Sequence, residues 1–290
     1  MKPKIAIFDL TDCEGCELEF INLREKLTSI VGQTSIANWR LGSTNNDPGP
    51  FDITFIEGSP ITDADIATVK QARAVSRIVV SLGSCAALGG VQALLAGNAR
   101  KQGVALVYGE KYKSNSQAPK PISYYVEVDI HLPGCPINVN ELEGVLGALL
   151  AGRFPTEARY PVCLECKARE NECLLLNGEA CLGPVTKGGC EAACPSKGLR
   201  CWGCFGALRG GNTVAMKHLL EVKFGAKRTK QLLEIFYSQQ DEFKVLYPSS
   251  SVFPGQKPGN QPSKILDSRL RGNDGKGAVR ISVAKPKEKE

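Results

Sequence analysis

Cysteine is the residue type of this chain whose spacing most clearly indicates chemistry. Eight of the twelve cysteines lie within residues 163–204 of a 290-residue sequence. Four thiolates in a short, loop-rich segment are the ligands that an iron–sulfur cluster or a tetrahedral zinc ion needs. A bound metal offsets the repulsion between thiolates, so we expect each group of four to order its loop only when filled. The two groups are Cys163, Cys166, Cys173 and Cys181, and then Cys190, Cys194, Cys201 and Cys204.

Two other interpretations of these cysteines compete with clusters. A disulfide framework requires an oxidising compartment, and we expect none because residues 1–12 carry no signal-peptide pattern. Zinc sites stay open, because Cys-x-x-Cys pairs also build zinc ribbons. The Cys194-Pro195 step and the three-residue spacing before it instead resemble bacterial ferredoxin sequences. Clusters are therefore the working hypothesis, and a zinc-binding structural or assembly module without a redox role is the alternative.

The residues that precede this segment alternate between strand-like and helix-like patterns. Short β-branched, apolar runs predict strands, and the segments between them carry the apolar spacing of helices. Near-continuous apolar strands that alternate with helices indicate a parallel sheet covered on both faces, so we predict an α/β fold. The predicted strands are residues 4–10, 52–58, 77–83, 104–108 and 125–132, and the predicted helices are residues 17–31, 63–75, 86–101 and 138–151.

The remaining four cysteines each follow a predicted strand. Cys13 and Cys16 come after the first strand, Cys85 after a later one, and Cys135 after the last. Ligands of open α/β sheets bind at the carboxyl ends of the strands, where residues distant in sequence converge. One buried, unliganded cysteine would be ordinary. Four of them at one sheet edge predict a third four-thiolate site.

Composition divides the chain into three parts. Residues 1–152 contain the predicted sheet, and residues 153–247 form a smaller, loop-rich domain that ends in two predicted helices. We expect the fold of this second domain to depend on its inorganic contents. Residues 248–290 are rich in Ser, Pro, Gly, Asn and Lys, with too little apolar content to offset the entropy of ordering. They are predicted to be a disordered tail.

Charge and hydropathy exclude two classes of partner. The net charge is +6, but residues 248–290 hold nine Lys or Arg against four Asp or Glu. The rest of the chain holds 27 against 26, so a nucleic-acid partner has no electrostatic support. No segment approaches the roughly eighteen apolar residues of a membrane span, so no membrane partner is expected. We expect a cytoplasmic protein, which suits reduced thiols.

Motifs for other kinds of chemistry are missing from the sequence. Neither G-x-G-x-x-G nor G-x-x-x-x-G-K-[ST] occurs, so the dinucleotide and phosphate-loop signatures are absent. The two histidines, His131 and His218, are too few to support a catalytic triad argument. We therefore predict no catalytic residue on this chain. The visible chemistry is thiolate ligation, which points to one-electron transfer.

Five short motifs give the sequence a close resemblance to a known family. The resemblance is to the small subunit of cytoplasmic nickel–iron hydrogenases, of the sulfhydrogenase delta or bidirectional NAD(P)-linked type. It covers about residues 4–206. The motifs are CEGCELEF at 13–20, EGSP at 57–60, GSCAALGG at 83–90, PGCP at 133–136 and CLGPVTKGGC at 181–190.

The resemblance implies a flavodoxin-like domain, a small irregular iron–sulfur domain and three [4Fe–4S] clusters. Periplasmic members of the family have a histidine where this chain has Cys163 and a proline where it has Cys194, so the medial cluster is expected to hold four irons. By resemblance, the proximal cluster uses Cys13, Cys16, Cys85 and Cys135, the medial cluster Cys190, Cys194, Cys201 and Cys204, and the distal cluster Cys163, Cys166, Cys173 and Cys181.

The resemblance also implies partners for the chain. The nickel–iron centre of this family is held by a large subunit, so no nickel is expected here. A diaphorase subunit would supply flavin and NAD(P), although a deazaflavin, ferredoxin or heterodisulfide reductase acceptor stays open. A third hypothesis is the 20 kDa subunit of NADH:quinone oxidoreductase. It is disfavoured because that subunit keeps one cluster and lacks the eight-cysteine domain.

Metal analysis of the purified protein tests the cluster hypothesis. Three groups of four cysteines predict about twelve iron and about twelve acid-labile sulfide per chain, with no cysteine left over. Anaerobic purification followed by iron and sulfide determination measures both. An iron content near eight would show that one group of cysteines does not bind a four-iron cluster. Tightly bound zinc without sulfide would contradict the cluster hypothesis.

Overall fold

Short apolar strands that run in one direction form the sheet. The computed structural model describes residues 2–95 and 97–248. Its strands are β1 (Lys4–Asp9), β2 (Ser35–Trp39), β3 (Phe51–Glu57), β4 (Ser76–Leu82) and β5 (Ile130–Leu132). All pair in parallel in the order β2-β1-β3-β4-β5, which is the flavodoxin-like order. The predicted α/β fold class is confirmed.

Helices follow most of the strands and continue beyond the sheet. Those of the sheet part are α1 (Gly15–Asn22), α2 (Glu25–Gln33), α3 (Asp63–Ala74), α4 (Gly83–Leu88), α5 (Gly97–Tyr108) and α6 (Val139–Leu150). After α6, a single α-helix, α7 (Val162–Ala168), interrupts the described loops before residue 213. The described chain ends with α8 (Thr213–Phe224), α9 (Ala226–Tyr237) and α10 (Asp241–Leu246).

The predicted strand at residues 104–108 is wrong, because these residues are the end of α5. A short apolar run has the same appearance in a buried strand and in a helix, so periodicity alone does not separate the two. Here the run is not buried. Leu106, Val107 and Tyr108 are largely exposed, and no strand pairs with this segment in the described sheet.

The first predicted helix is divided into two. Arg24 has a φ of 54°, in the left-handed region, and separates α1 from α2. A non-glycine residue in this conformation is uncommon, so the residue types around Arg24 do not indicate the break. β2 was also not predicted. It is the edge strand of the sheet, and its polar Ser35 and Asn38 interrupt the apolar pattern.

Apolar side chains cover both faces of the sheet. On one face, Phe20 of α1 and Leu142 and Leu146 of α6 belong to the same buried cluster as Ile7 and Phe55 of the central strands. On the other face, a second buried cluster joins α3 and α4 to β3 and β4 through Val69, Ala72, Ala86, Ile56 and Val79. Two covered faces explain why these strands are almost continuously apolar.

The loop-rich region has its own apolar core, which the C-terminal helices supply. Leu220 of α8 and Leu233 and Tyr237 of α9 are fully buried and pack with Leu182 and Val185 of the cysteine-rich loops. The hydroxyl of Tyr237 lies 2.8 Å from that of Thr186 and 3.2 Å from the carbonyl oxygen of Val185. The loops are therefore held against a helical scaffold as well as by any ligand they bind.

The described residues lie within one compact unit. The predicted domain boundary after Gly152 therefore stays a prediction, and the predicted tail lies outside the described residues apart from Pro248. No helix in residues 2–95 and 97–248 has the length and apolar character that crossing a membrane requires.

Removing the Tyr237 hydroxyl should weaken the attachment of the loops to α9. Tyr237→Phe removes neutral buried hydrogen bonds, which costs about 1 kcal/mol. For a protein of this size that lowers the melting temperature by about 2–4 °C. Tyr108→Phe is the control, because that side chain is exposed and its ring only stacks on Tyr112. Calorimetry of the loaded protein measures both, and equal melting temperatures would contradict the anchoring role.

Candidate iron–sulfur sites

The twelve cysteines form three groups that lie in different parts of the fold. All twelve thiols are free of disulfide bonds. The edge group is Cys13, Cys16, Cys85 and Cys135, the first loop group is Cys163, Cys166, Cys173 and Cys181, and the second loop group is Cys190, Cys194, Cys201 and Cys204.

The edge group meets at the carboxyl edge of the sheet. Cys13 and Cys16 follow β1, Cys85 lies in α4 directly after β4, and Cys135 follows β5. Burial raises the pKa of Cys85 to about 12, and the neighbouring thiols of Cys135 and Cys13 contribute to the shift. Burial also raises the pKa of Cys16, with Cys85 among the contributing neighbours. The structure thus brings these four residues together, with Cys13 and Cys135 exposed and Cys16 buried.

Gly83 determines how closely the β4 loop approaches Cys16. Its φ is +81°, and a Cβ at this position would overlap the Sγ of Cys16. An alanine would therefore be strained in its backbone and would also displace a ligand sulfur. This glycine, two residues before Cys85, is needed so that two distant segments can place their thiols in one site.

Two serines fix the backbone of the edge group. The Ser84 hydroxyl accepts from the N–H of Gly134 at 3.1 Å and donates to the carbonyl of Cys204 at 2.6 Å. The Ser59 hydroxyl donates to the carbonyl of Cys85 at 2.7 Å. Both serines are buried, so these bonds are shielded from water. Ser84 ties the β4 loop to the β5 loop and to the second loop group, and Ser59 ties the segment after β3 to Cys85.

Buried carboxyl groups lie directly behind Cys16, and sequence reasoning did not identify them. Glu57, at the end of β3, accepts from the N–H of Cys16 at 3.1 Å and of Glu17 at 2.7 Å. Trp39 donates its indole N–H to Glu17 at 2.8 Å. Burial raises the pKa of each carboxyl to about 7. Both residues belong to motifs noted above, EGSP and CEGCELEF, but a single sequence does not show that these carboxyls are buried.

The first loop group lines a common cavity. Cys163 and Cys166 are presented by α7, and Cys173 and Cys181 come from the loop that follows it. Leu174, Leu175, Pro184 and Pro195 also line this cavity. Burial raises the pKa of Cys163 to about 11, and the other three thiols of the group contribute to the shift. Four sulfurs in a largely apolar lining are the environment that a thiolate-ligated cluster requires.

The second loop group has one buried cysteine, Cys201, and three half-buried ones. Burial raises the pKa of Cys204 to about 12, and Cys190 and Cys194 add to the shift. Burial also raises the pKa of Cys201 well above its usual value, and its Sγ lies 3.5 Å from the hydroxyl of Thr186. Buried thiols of this kind are protonated at neutral pH without a metal, so metal binding must release protons.

Contacts between the groups place them in a series. Cys204 lies next to the edge group, because Ser84, the residue before Cys85, donates to its carbonyl oxygen at 2.6 Å. The thiol of Cys135 is also among the neighbours that raise the pKa of Cys204. At the other side, the N–H of Cys201 donates to the Sγ of Cys181 at 3.2 Å. The second loop group therefore lies between the edge group and the first loop group.

The arrangement fits clusters. The four thiols of the first loop group surround a shared space, as expected for thiolates with a multi-iron cluster between them. Which cysteines bind which cluster stays a prediction.

Comparison with known proteins identifies the family. The family model described as NADH ubiquinone oxidoreductase, 20 Kd subunit, matches residues 13–149, which include the edge group but neither loop group. The sulfhydrogenase 2 subunit delta of Pyrococcus furiosus is 38% identical over 220 residues, 75% of this chain and 92% of that protein. The chain belongs to the hydrogenase small-subunit family. The resemblance found in the sequence motifs is therefore confirmed.

Two further comparisons concern a second relative in sequence and a solved structure of similar fold. A subunit of the F420-non-reducing hydrogenase of Methanocaldococcus jannaschii is 30% identical over 236 residues, 70% of this chain and 81% of that protein. The structure of an actinobacterial-type NiFe-hydrogenase from Ralstonia eutropha H16 superposes with a TM-score of 0.50 at 15% identity, over 90% of this chain and 94% of that one. At that identity the likeness shows the fold alone.

Replacing Gly83 should damage the edge group selectively. Gly83→Ala forces a side chain towards the Sγ of Cys16, so we expect iron to fall from about twelve to about eight per chain. Gly144→Ala is the matched control, since nothing lies within 4 Å of a Cβ at that helical position. Iron determination measures both variants. Full iron content in Gly83→Ala would show that the close approach has no importance for ligation.

Proposed function

We propose that this small subunit is the electron-transfer subunit of a nickel–iron hydrogenase. It would relay electrons through three [4Fe–4S] clusters between a nickel–iron site on a large subunit and a redox partner. The observation that carries the proposal is the series of three four-thiol groups within one compact unit. Bound clusters would supply one-electron acceptor and donor sites.

The order of the proposed relay follows from exposure and contact. Cys13 and Cys135 of the edge group are exposed, so a partner surface can cover this end, and the edge group would hold the proximal cluster. The second loop group contacts both other groups and would hold the medial cluster. The first loop group would hold the distal cluster, beside the redox partner.

The chain's own residues have defined tasks in this proposal. Buried Glu57 holds the N-terminus of α1, and with it Cys16, at the sheet edge. Ser84 keeps the edge group and the second loop group at a fixed separation. Leu174, Leu175 and Pro184 exclude water from the first loop group, which affects the reduction potential of a bound cluster.

The partners are inferred from the relatives. The family relationship supports a large subunit that carries the nickel–iron centre. A relative from P. furiosus is named a sulfhydrogenase subunit and another from M. jannaschii a subunit of an F420-non-reducing hydrogenase, so the names of similar chains do not indicate one acceptor. We propose a flavin and NAD(P) diaphorase or another acceptor subunit at the distal end, and a cytoplasmic location.

Cysteine substitutions at the two ends of the series test the proposed order. Cys16→Ser should remove the edge cluster, since the loop groups have their own core, and should leave about eight irons per chain. Hydrogen-driven dye reduction by the assembled complex should then collapse. Iron analysis and dye assays measure the two effects.

Cys166→Ser is the matched substitution at the other end. It should reduce transfer to the physiological acceptor more strongly than hydrogen–deuterium exchange, which needs only the nickel site. If Cys166→Ser abolished exchange while Cys16→Ser kept dye reduction, the order would be reversed. Zinc without sulfide in the parent protein would instead favour a structural or assembly module.

A further inference from the structure

Glu165 lies within one group of cysteines but bonds to another. Its position is between Cys163 and Cys166 of the first loop group. Its carboxylate nevertheless accepts from the N–H of Gly189 at 2.6 Å and of Ala192 at 3.0 Å. One carboxylate oxygen also lies 3.7 Å from the Sγ of Cys190. A single side chain therefore joins the first loop group to the first cysteine of the second.

The segment that Glu165 holds has a strained backbone. Glu191 and Ala192 have φ values of 55° and 52°, in the left-handed region that non-glycine residues seldom adopt. Ala192 is also fully buried. Such a conformation persists only where surrounding contacts impose it. The two N–H groups bonded to Glu165 flank Cys190 on both sides, so the carboxylate is one of the contacts that impose it.

The charge of Glu165 adds a second effect. A carboxylate next to a ligating sulfur makes the gain of a further electron at that site less favourable, and burial limits the screening of this interaction by solvent. Net charge and hydrogen bonding near the sulfurs are known determinants of iron–sulfur reduction potentials. Glu165 is half-buried, so its influence on Cys190 is only partly screened.

We propose that Glu165 is a positioning residue of the electron relay. It fixes the turn that presents Cys190, and its charge lowers the reduction potential of the cluster at the second loop group. The proposal rests on the proposed function and deepens it, because it names a residue of the first loop group that sets the potential of the neighbouring group.

Glu165→Gln tests the charge while keeping an acceptor oxygen for the loop. In the assembled complex we expect the midpoint potential of the second-loop cluster to shift positively by at least about 59 mV, a tenfold change in a one-electron equilibrium. Iron content and the other two midpoints should stay unchanged. EPR-monitored redox titration gives the three midpoints, and the signal lost in Cys194→Ser identifies the second loop group.

Glu179→Gln is the matched control. Glu179 is an exposed carboxylate two residues before Cys181, so removing its charge should leave all midpoints near those of the parent protein. A purely structural role for Glu165 would change iron content or melting temperature without moving the potential. A Glu165→Gln midpoint within the range of this control would overturn the proposal.

A second pair of variants tests the proposal if the Glu165→Gln protein binds less iron. Ala192→Gly relieves the left-handed backbone strain at Ala192, so Glu165→Gln combined with Ala192→Gly is compared with Ala192→Gly alone. The same positive shift supports the proposal, and an unchanged midpoint overturns it. Absence of any iron–sulfur signal in the parent protein would instead reject the proposed function, which separates the two failures.

Discussion

The cost of ionising thiols that are buried and close together is the constraint on which the rest of this structure depends. Cys85, Cys163 and Cys204 all have pKa values raised by burial, with neighbouring thiols as further causes. Buried thiols that lie close together cannot all ionise without a compensating positive charge. The backbone that brings the thiols together must therefore be held in part by contacts other than the thiols themselves.

Different parts of the fold meet this requirement in different ways. At the sheet edge, parallel strands deliver the cysteines, while Glu57 and Ser84 hold the intervening backbone. The loop region has little regular structure of its own. The apolar face of α9 supports the loops instead, because Leu233 and Tyr237 pack against them. Hydrogen bonds from Ser84 and Cys201 then cross between groups. The same bonds that order the loops also fix the separation between neighbouring sites.

Most of the fold and the membership of the edge group could be predicted, because both follow from periodic patterns. Strands such as β3 and β4 contain runs of β-branched and apolar residues, and Cys85 and Cys135 follow strands in sequence as well as in space. The α5 segment was mistaken for a strand because exposure of Leu106 has no sequence signal. Glu57 and Glu165 were missed for a related reason. Their partners are backbone N–H groups of distant segments, and such pairings depend on the tertiary fold.

Glu165 links the two loop groups, because it lies between two cysteines of the first and bonds to the backbone on either side of Cys190 in the second. A segment with the left-handed residues Glu191 and Ala192 would relax if its only support were the ligand at Cys190. Because Glu165 belongs to α7, which also presents Cys163 and Cys166, a change in the packing of that helix alters the turn at Cys190. In the proposed role, Glu165 would thus connect the helix that presents the first loop group to the turn and the charge environment of Cys190 in the second.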